Sequence, residues 1–200
     1  MIQEKYLIER LRARRGKLID PNLGSAVTAS VAIVLIQSNE GVAMLYLVRA
    51  QCAEDPWSGQ IGFPGGKINI SDESPLDAVI RETQEETAID LKNANLICRL
   101  DDETTSINSL HVAAFVFLVS PKVRFQLNSE ISAGFWVPLS KLMDENRYIK
   151  TIVSSNGKLR EVFGVNLLGS NGPVLWGLTY RFTSQVLASI GLHLPGGKVG

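Results

Sequence analysis

The sequence predicts an α/β protein in which helices cover a mixed β-sheet, and three observations carry that prediction. Strand-like runs outnumber helical ones. One well-marked helix, opening at Ser74-Pro75, interrupts the strands in mid-chain, and a second long helical pattern over 175–190 follows the last of them. Strands interspersed with amphipathic helices bury their apolar faces best as a sheet between helical layers. Two hundred residues suit one domain, and 45% hydrophobic residues can fill its core.

Residues 2–15 read as a helix with Ile2, Tyr6, Leu7 and Leu11 on one face and a basic end of Arg10, Arg12, Arg14 and Arg15. Cations are favoured at a helix C-terminus, so a solvated end explains them as well as a phosphate-facing or partner-facing patch does. Asp20-Pro21-Asn22 is a turn. Residues 26–37 and 42–49 form a hairpin about Ser38-Asn39-Glu40-Gly41. A polar loop over 51–60 leads to a short strand, Ile61 to Phe63, and then to Pro64-Gly65-Gly66-Lys67. Ser74 is the expected N-cap, with Pro75 at the first helical position and Asp77 as capping carboxylate. Leu76, Val79, Ile80, Thr83 and Thr87 recur at helical spacing as its core-facing stripe. Further strands are expected at 96–101, 110–119, 134–137 and as a pair within 148–168 about Ser154-Ser155-Asn156-Gly157. A short helix opens at Pro138. In the last helix Leu178, Phe182, Val186 and Leu187 face inward. The expected organisation is a helical extension over 1–25, one domain over 26–194 and a flexible tail over 195–200.

Bulk properties narrow the function. Twenty basic and twenty acidic residues leave no net charge to attract nucleic acid or an anionic membrane surface. Cys52 and Cys98 match no metal or redox spacing and read as free thiols of a reducing compartment. Charged residues break up the first twenty positions, so no secretory signal is expected, and the apolar runs are only strand length. A cytoplasmic protein is the expectation. His111 sits in an apolar strand pattern and reads as a core residue.

The chemistry concentrates in the central helix. Glu82 and Glu86 are four residues apart and share a stripe, with Glu85 just round the helix. Like charges at this spacing cost about 0.2–0.5 kcal/mol when exposed. In a partly buried cleft, unit charges about 4 Å apart interact with about 4 kcal/mol. Arg81 offsets one charge, and a hard divalent cation, Mg2+ or Mn2+, would offset the others. A solvated acidic helix face is the competing reading of the same carboxylates.

The stretch around this helix resembles the Nudix box, G-x5-E-x7-R-E-U-x-E-E-x-G-U with U aliphatic. Glu73, Arg81, Glu82, Glu85, Glu86 and Ile89 fall in register. Three positions depart from it: six residues separate Gly66 from Glu73, Thr83 replaces an aliphatic residue, and Ala88 replaces glycine. The long loop with Asp72 beside Glu73 is similar to the coenzyme A pyrophosphatase branch, as are Gly59-Gln60-Ile61-Gly62-Phe63-Pro64-Gly65-Gly66 and Arg49-Ala50. Glu54-Asp55-Pro56-Trp57 stands where that branch has basic residues.

The resemblance implies a Nudix α/β/α sandwich with a mixed sheet. It also implies hydrolysis of a pyrophosphate linkage in a nucleoside diphosphate derivative, with Mg2+ or Mn2+ as cofactor. Its positions make Glu82 and Glu86 the principal metal ligands and Glu85 a further ligand or the base. Glu73, with Asp72 beside it, becomes an outer ligand or loop brace, and the Gly66 carbonyl an additional ligand. Arg81 is expected to orient Glu85 or Glu73. Glu130, in the run before Phe135-Trp136-Val137, is a candidate for a fourth carboxylate or a loop brace, and Glu103 a weaker one. Arg49, Trp57 and Phe63 fall on the substrate side, where Trp57 either stacks on a ring or caps the core. Coenzyme A or an acyl thioester is the first substrate expected, followed by ADP-ribose, a dinucleoside polyphosphate or a nucleotide sugar. The partners expected are small nucleotide-derived molecules, and the family commonly forms homodimers. Two rivals remain: a silent Nudix-fold binding module, and an isoprenoid diphosphate isomerase, which wants a reactive cysteine that Cys52 and Cys98 do not supply.

Overall fold

The computed structural model describes residues 2–19, 26–105, 110–155, 158–169 and 172–194. The turns expected at 20–22 and 156–157, and the tail over 195–200, lie outside them. The centre of the molecule is β1 (Ala29–Ser38), which pairs antiparallel with β2 (Gly41–Arg49) across the expected hairpin. On its other side β1 runs parallel to β7 (His111–Leu118), and β7 pairs antiparallel with β5 (Asn95–Arg99). A parallel neighbour demands a long crossover. Here that crossover contains β2, β3 (Ile61–Gly62), β4 (Gly65–Lys67), α2 (Pro75–Thr87), β5 and β6 (Glu103–Thr104). β3 and β8 (Ile131–Pro138) pair with β2, β4 with β1, and β6 with β7.

Alternation along β1 separates two apolar layers. Ile33 and Leu35 pack with Leu7 and Leu11 of α1 (Glu4–Arg12) and with Phe182, Val186 and Leu187 of α3 (Gly177–Ala188). Ala32, Val34 and Ile36 face the opposite way and pack with Val79 of α2. The mixed sheet therefore lies between α2 on one face and α1 with α3 on the other, an α/β/α sandwich. A second sheet, β9 (Tyr148–Ser155), β10 (Lys158–Asn166) and β11 (Val174–Leu175), stands between the main sheet and α3 in sequence.

The helix over 2–15 is shorter than its pattern implied, and its Leu7 and Leu11 are fully buried, so it is docked on the core. The segment expected as a short helix at Pro138 is a 3₁₀ turn over Leu139–Met143. α2 starts as its caps dictate, with the Ser74 hydroxyl accepting the Asp77 N–H at 3.2 Å. No helix among the described residues is long and apolar enough to cross a membrane.

Candidate active site

The loop after β4 folds against α2 around one guanidinium. Arg81 donates to both oxygens of Asp72 at 2.9 Å and to Glu82 Oε1 at 2.9 Å. Longer contacts reach Glu85 at 3.3 Å and the Lys67 carbonyl at 3.3 Å. Such a planar, bidentate pairing is what Arg provides and Lys does not. Asp72 also accepts the Asn69 N–H at 2.7 Å, and its side chain is 4% exposed. The guanidinium first, then that amide, hold its carboxyl below the usual carboxylate range.

Of the two partners expected for Arg81, Glu85 is in contact with it, while Asp72 takes the place of Glu73. Glu73 is exposed and does not line the cleft. The physical reason is the longer loop. Counted back from Arg81 the acidic position falls on Glu73, but counted forward from Gly66 it falls on Asp72, and the backbone folds by the forward count.

Glu86 lies deeper, 3% exposed in the last turn of α2. Its Oε2 accepts the Gly65 N–H at 2.9 Å, and its Oε1 stands 3.7 Å from Arg49 Nη1. Burial pushes this carboxyl up to about 7; the Gly65 amide and Arg49 pull it down, while Glu82 and Glu130 push it further up. Burial is also the main cause that raises Glu82, against the pull of Arg81 and with added repulsion from Glu85 and Glu130. Glu130 therefore faces the same space, while its backbone braces the loop: its N–H donates to Asn128 Oδ1 at 3.0 Å and its carbonyl accepts from Ala50 at 2.8 Å.

Gly66 is tightly fitted to this cluster. A Cβ there would stand 2.5–2.7 Å from the Glu82 carboxyl atoms, so only glycine allows Glu82 to sit against the loop. Gly65 has φ 142°, a conformation open to glycine, and this turns its amide toward Glu86.

The donors suit a hard divalent cation. They are oxygen atoms only, they repel one another, and two are held above the usual carboxylate range, as expected where compensating positive charge is needed. Among the described residues no three carboxyl groups already converge into a closed cage. Mg2+ does not require one, because it binds through one or two carboxylates together with waters and substrate phosphates.

Glu82, Glu85, Glu86 and Glu130 line a cleft of about 1050 Å³. Trp57, Phe63, Trp176 and Tyr180 line it as well. Phe63 is also a core residue, 8% exposed and stacked on Tyr46 with ring centroids 5.2 Å apart. Arg49 lines the cleft but is held: Asp55 accepts its Nε at 2.6 Å. The other Asp55 oxygen accepts the Trp57 backbone N–H at 3.0 Å, so one carboxylate holds the Arg49 side chain and the Trp57 backbone. Sequence reasoning missed this role of Asp55. It also missed the cleft residues of β10 and α3, which no motif marks. Glu103 is not in the cleft lining; it pairs with Arg181 at 3.3 Å and accepts from Gln185 at 2.9 Å, tying β6 to α3. His111 is half-buried rather than a core residue and meets Thr104 Oγ1 at 3.0 Å.

A family model described as NUDIX domain matches residues 27–154, well over half of the chain. A Yersinia pestis protein described as an uncharacterized Nudix hydrolase, NudL, is 32% identical over 123 residues, covering 61% of this chain and 60% of the relative. An uncharacterized protein of Schizosaccharomyces pombe is 30% identical over 129 residues, covering 60% of this chain and 39% of the relative. The chain thus spans less than two thirds of the length of these curated relatives. Among solved structures, an Ap4A hydrolase of C. elegans is 20% identical with a TM-score of 0.49, covering 59% of this chain and 84% of that one.

Proposed function

This chain belongs to the Nudix family, and from that membership we propose that it hydrolyses a phosphoanhydride bond in a nucleoside diphosphate derivative, using Mg2+ or Mn2+. The observation that carries the proposal is the grouping of Glu82, Glu86 and Glu130 with Gly65 and Gly66 in a cleft that aromatic side chains also line. A diphosphate needs its charge neutralised and a water deprotonated beside it; an aromatic surface suits the base or ring at the substrate's other end.

In this reading Glu82, Glu86 and the Gly66 carbonyl hold the cation, which would neutralise the diphosphate and acidify a bound water. The Gly65 amide fixes the rotamer of Glu86, leaving Oε1 toward Arg49. Arg81, anchored on Asp72, positions Glu82 and is a positioning residue. Glu85, 54% exposed and only loosely held by Arg81, is free to take a proton from water, and Glu130 is the alternative acceptor. Glu73 remains a candidate for an outer role only.

Coenzyme A or an acyl thioester of it is the first substrate in this proposal, on the run from Gly59 to Gly66. ADP-ribose, a dinucleoside polyphosphate or a nucleotide sugar comes next. The test is a product-mass screen of these compounds with Mg2+ and with Mn2+. Cleavage of one of them between its phosphates is expected; no cleavage of any by the metal-loaded protein would favour a binding module. Glu86→Gln keeps the Gly65 hydrogen bond and the fold, yet is expected to cut turnover by orders of magnitude. An active variant with unchanged metal dependence would sink the assignment.

A further inference from the structure

We infer that Ser30 is a positioning residue of the carboxylate cluster: its buried hydroxyl donates to Glu82 Oε2 once a divalent cation holds that carboxylate. The inference rests on the hydrolase reading above for the cation, and on the pairing of β1 with β4 for the residue.

Ser30 lies near the start of β1 and is fully buried. Its backbone is paired on both sides, with Gly66 of β4 and with Ala113 of β7. Its hydroxyl has no hydrogen-bond partner among the described residues. Buried hydroxyls are nearly always paired, because burying one alone forfeits its bonds to water. The residues that follow it on the same face of β1, Ala32, Val34 and Ile36, are apolar and pack with Val79 of α2. An alanine would continue that row with no polar group to satisfy. Thr83 and Thr87 bring hydroxyls into the same layer from α2, but each donates to the carbonyl four residues back. Ser30, on a strand, has no such outlet.

The strand register names the acceptor. Ser30 and Gly66 are direct partners in an antiparallel pair, so their side-chain directions share one face. Gly66 has no side chain, and the Glu82 carboxyl occupies the place its Cβ would take, with Oε2 2.6 Å from that point. Glu82 therefore stands in as the cross-strand neighbour of Ser30. The two Cβ positions of such a pair are about 4.5–5.5 Å apart, a gap that a hydroxyl on one side and a carboxylate oxygen beside the other close by side-chain rotation. The existing hydrogen bonds leave the same two atoms over. Arg81 holds Glu82 Oε1 at 2.9 Å, and Oε2 has no donor among the described residues. A donor without an acceptor thus faces an acceptor without a donor. Ser30 does not line the cleft, so it acts through Glu82 and does not touch the substrate. Carboxylates that bind a cation are themselves oriented by hydrogen bonds, and those bonds set part of the affinity.

The experiment is a calorimetric titration of Mn2+, without substrate, into wild type, Ser30→Ala, Ser30→Cys and Glu82→Gln, with melting temperatures recorded with and without Mn2+. Removing a group that orients a metal ligand typically costs about 10–100-fold in affinity. Ser30→Ala is therefore expected to weaken Mn2+ binding by at least about tenfold. Ser30→Cys fills the space but donates only weakly, and should lose as much. Without Mn2+, Ser30→Ala should melt no lower than wild type, since the hydroxyl it removes has no partner; with Mn2+ its melting temperature should rise less. Unchanged Mn2+ affinity in Ser30→Ala overturns the inference. So does recovery of that affinity in Ser30→Cys, which would make volume the cause. A Ser30→Ala protein that melts lower without Mn2+, yet gains as much from Mn2+ as wild type does, marks a merely structural residue and also overturns it. If wild type binds no Mn2+, or Glu82→Gln binds it as well as wild type does, the cation reading itself fails and the inference with it. Binding by wild type that Glu82→Gln loses upholds that reading whatever Ser30 does.

Discussion

Ala88 ends α2 with φ 57°, in the left-handed region that an L-residue with a Cβ adopts at a cost. It is also the position at which the Nudix box usually has glycine. Ala88→Gly is expected to stabilise the protein by about 0.5–1 kcal/mol, the strain relieved outweighing the added freedom of the unfolded chain. The check is a higher denaturant midpoint at unchanged slope. Asp72 gives a prediction with a pH sign. Its carboxyl is held below the ordinary range, so on acidification the unfolded chain takes up this proton first. Its stabilising contribution is present above the ordinary carboxylate pKa and drains away as pH falls through the depressed value. Asp72→Asn should therefore lower the melting temperature at neutral pH, with the two proteins converging in acid. A constant gap down to the acid limb would show that Arg81 is not the cause.

At the scale of elements, a buried hydrogen bond adds to the apolar packing that holds α3 on the sheet. Tyr46 Oη and Thr183 Oγ1 are 2.9 Å apart, and the Thr183 hydroxyl also donates to the Thr179 carbonyl at 2.8 Å. Tyr46→Phe leaves Thr183 with that second partner, so the cost should be only about 0.5–1.5 kcal/mol, measured by thermal or chemical denaturation. Elements of this kind were legible in the sequence to different degrees. α2 announced itself because Ser74, Pro75 and Asp77 are local signals that act within four residues. β1, β2 and β7 were legible as apolar runs of strand length. β6 and β11 were not, because a two-residue strand has no period and exists only through its neighbours, Val112 and Val165 among them. The same holds for the site. Glu82, Glu85 and Glu86 could be placed together from helical spacing alone. Asp55 could not, since it reaches the cleft through a loop whose path depends on tertiary pairing. Thr83 and Thr87 looked like weak core residues, but each hydroxyl donates to the carbonyl four residues back, at 2.7 and 2.6 Å, and so enters the core satisfied.

At the scale of the whole molecule, α1 joins the part of the fold built last. Leu11 is fully buried against the core that β1, β7 and α3 share. Leu11→Ala should cost about 2–5 kcal/mol, as expected for a large-to-small change in a closed core. Because no α1 residue lines the cleft, kcat/KM measured well below the melting temperature should stay unchanged. A loss of activity without loss of stability would show that α1 shapes the cleft.

The docking of α1 has a consequence for biosynthesis. Arg10 donates to the Ser189 carbonyl and Arg14 to Gln185, partners 179 and 171 residues further along the chain. At ribosomal speeds of about 5–20 residues per second, α1 waits roughly 9–36 s for them. Throughout that interval Leu7 and Leu11 have no α3 to cover them, and the nascent chain presents a short amphipathic helix to any chaperone at the exit tunnel. α1 is thus made well before α3, yet is among the last elements to find its place.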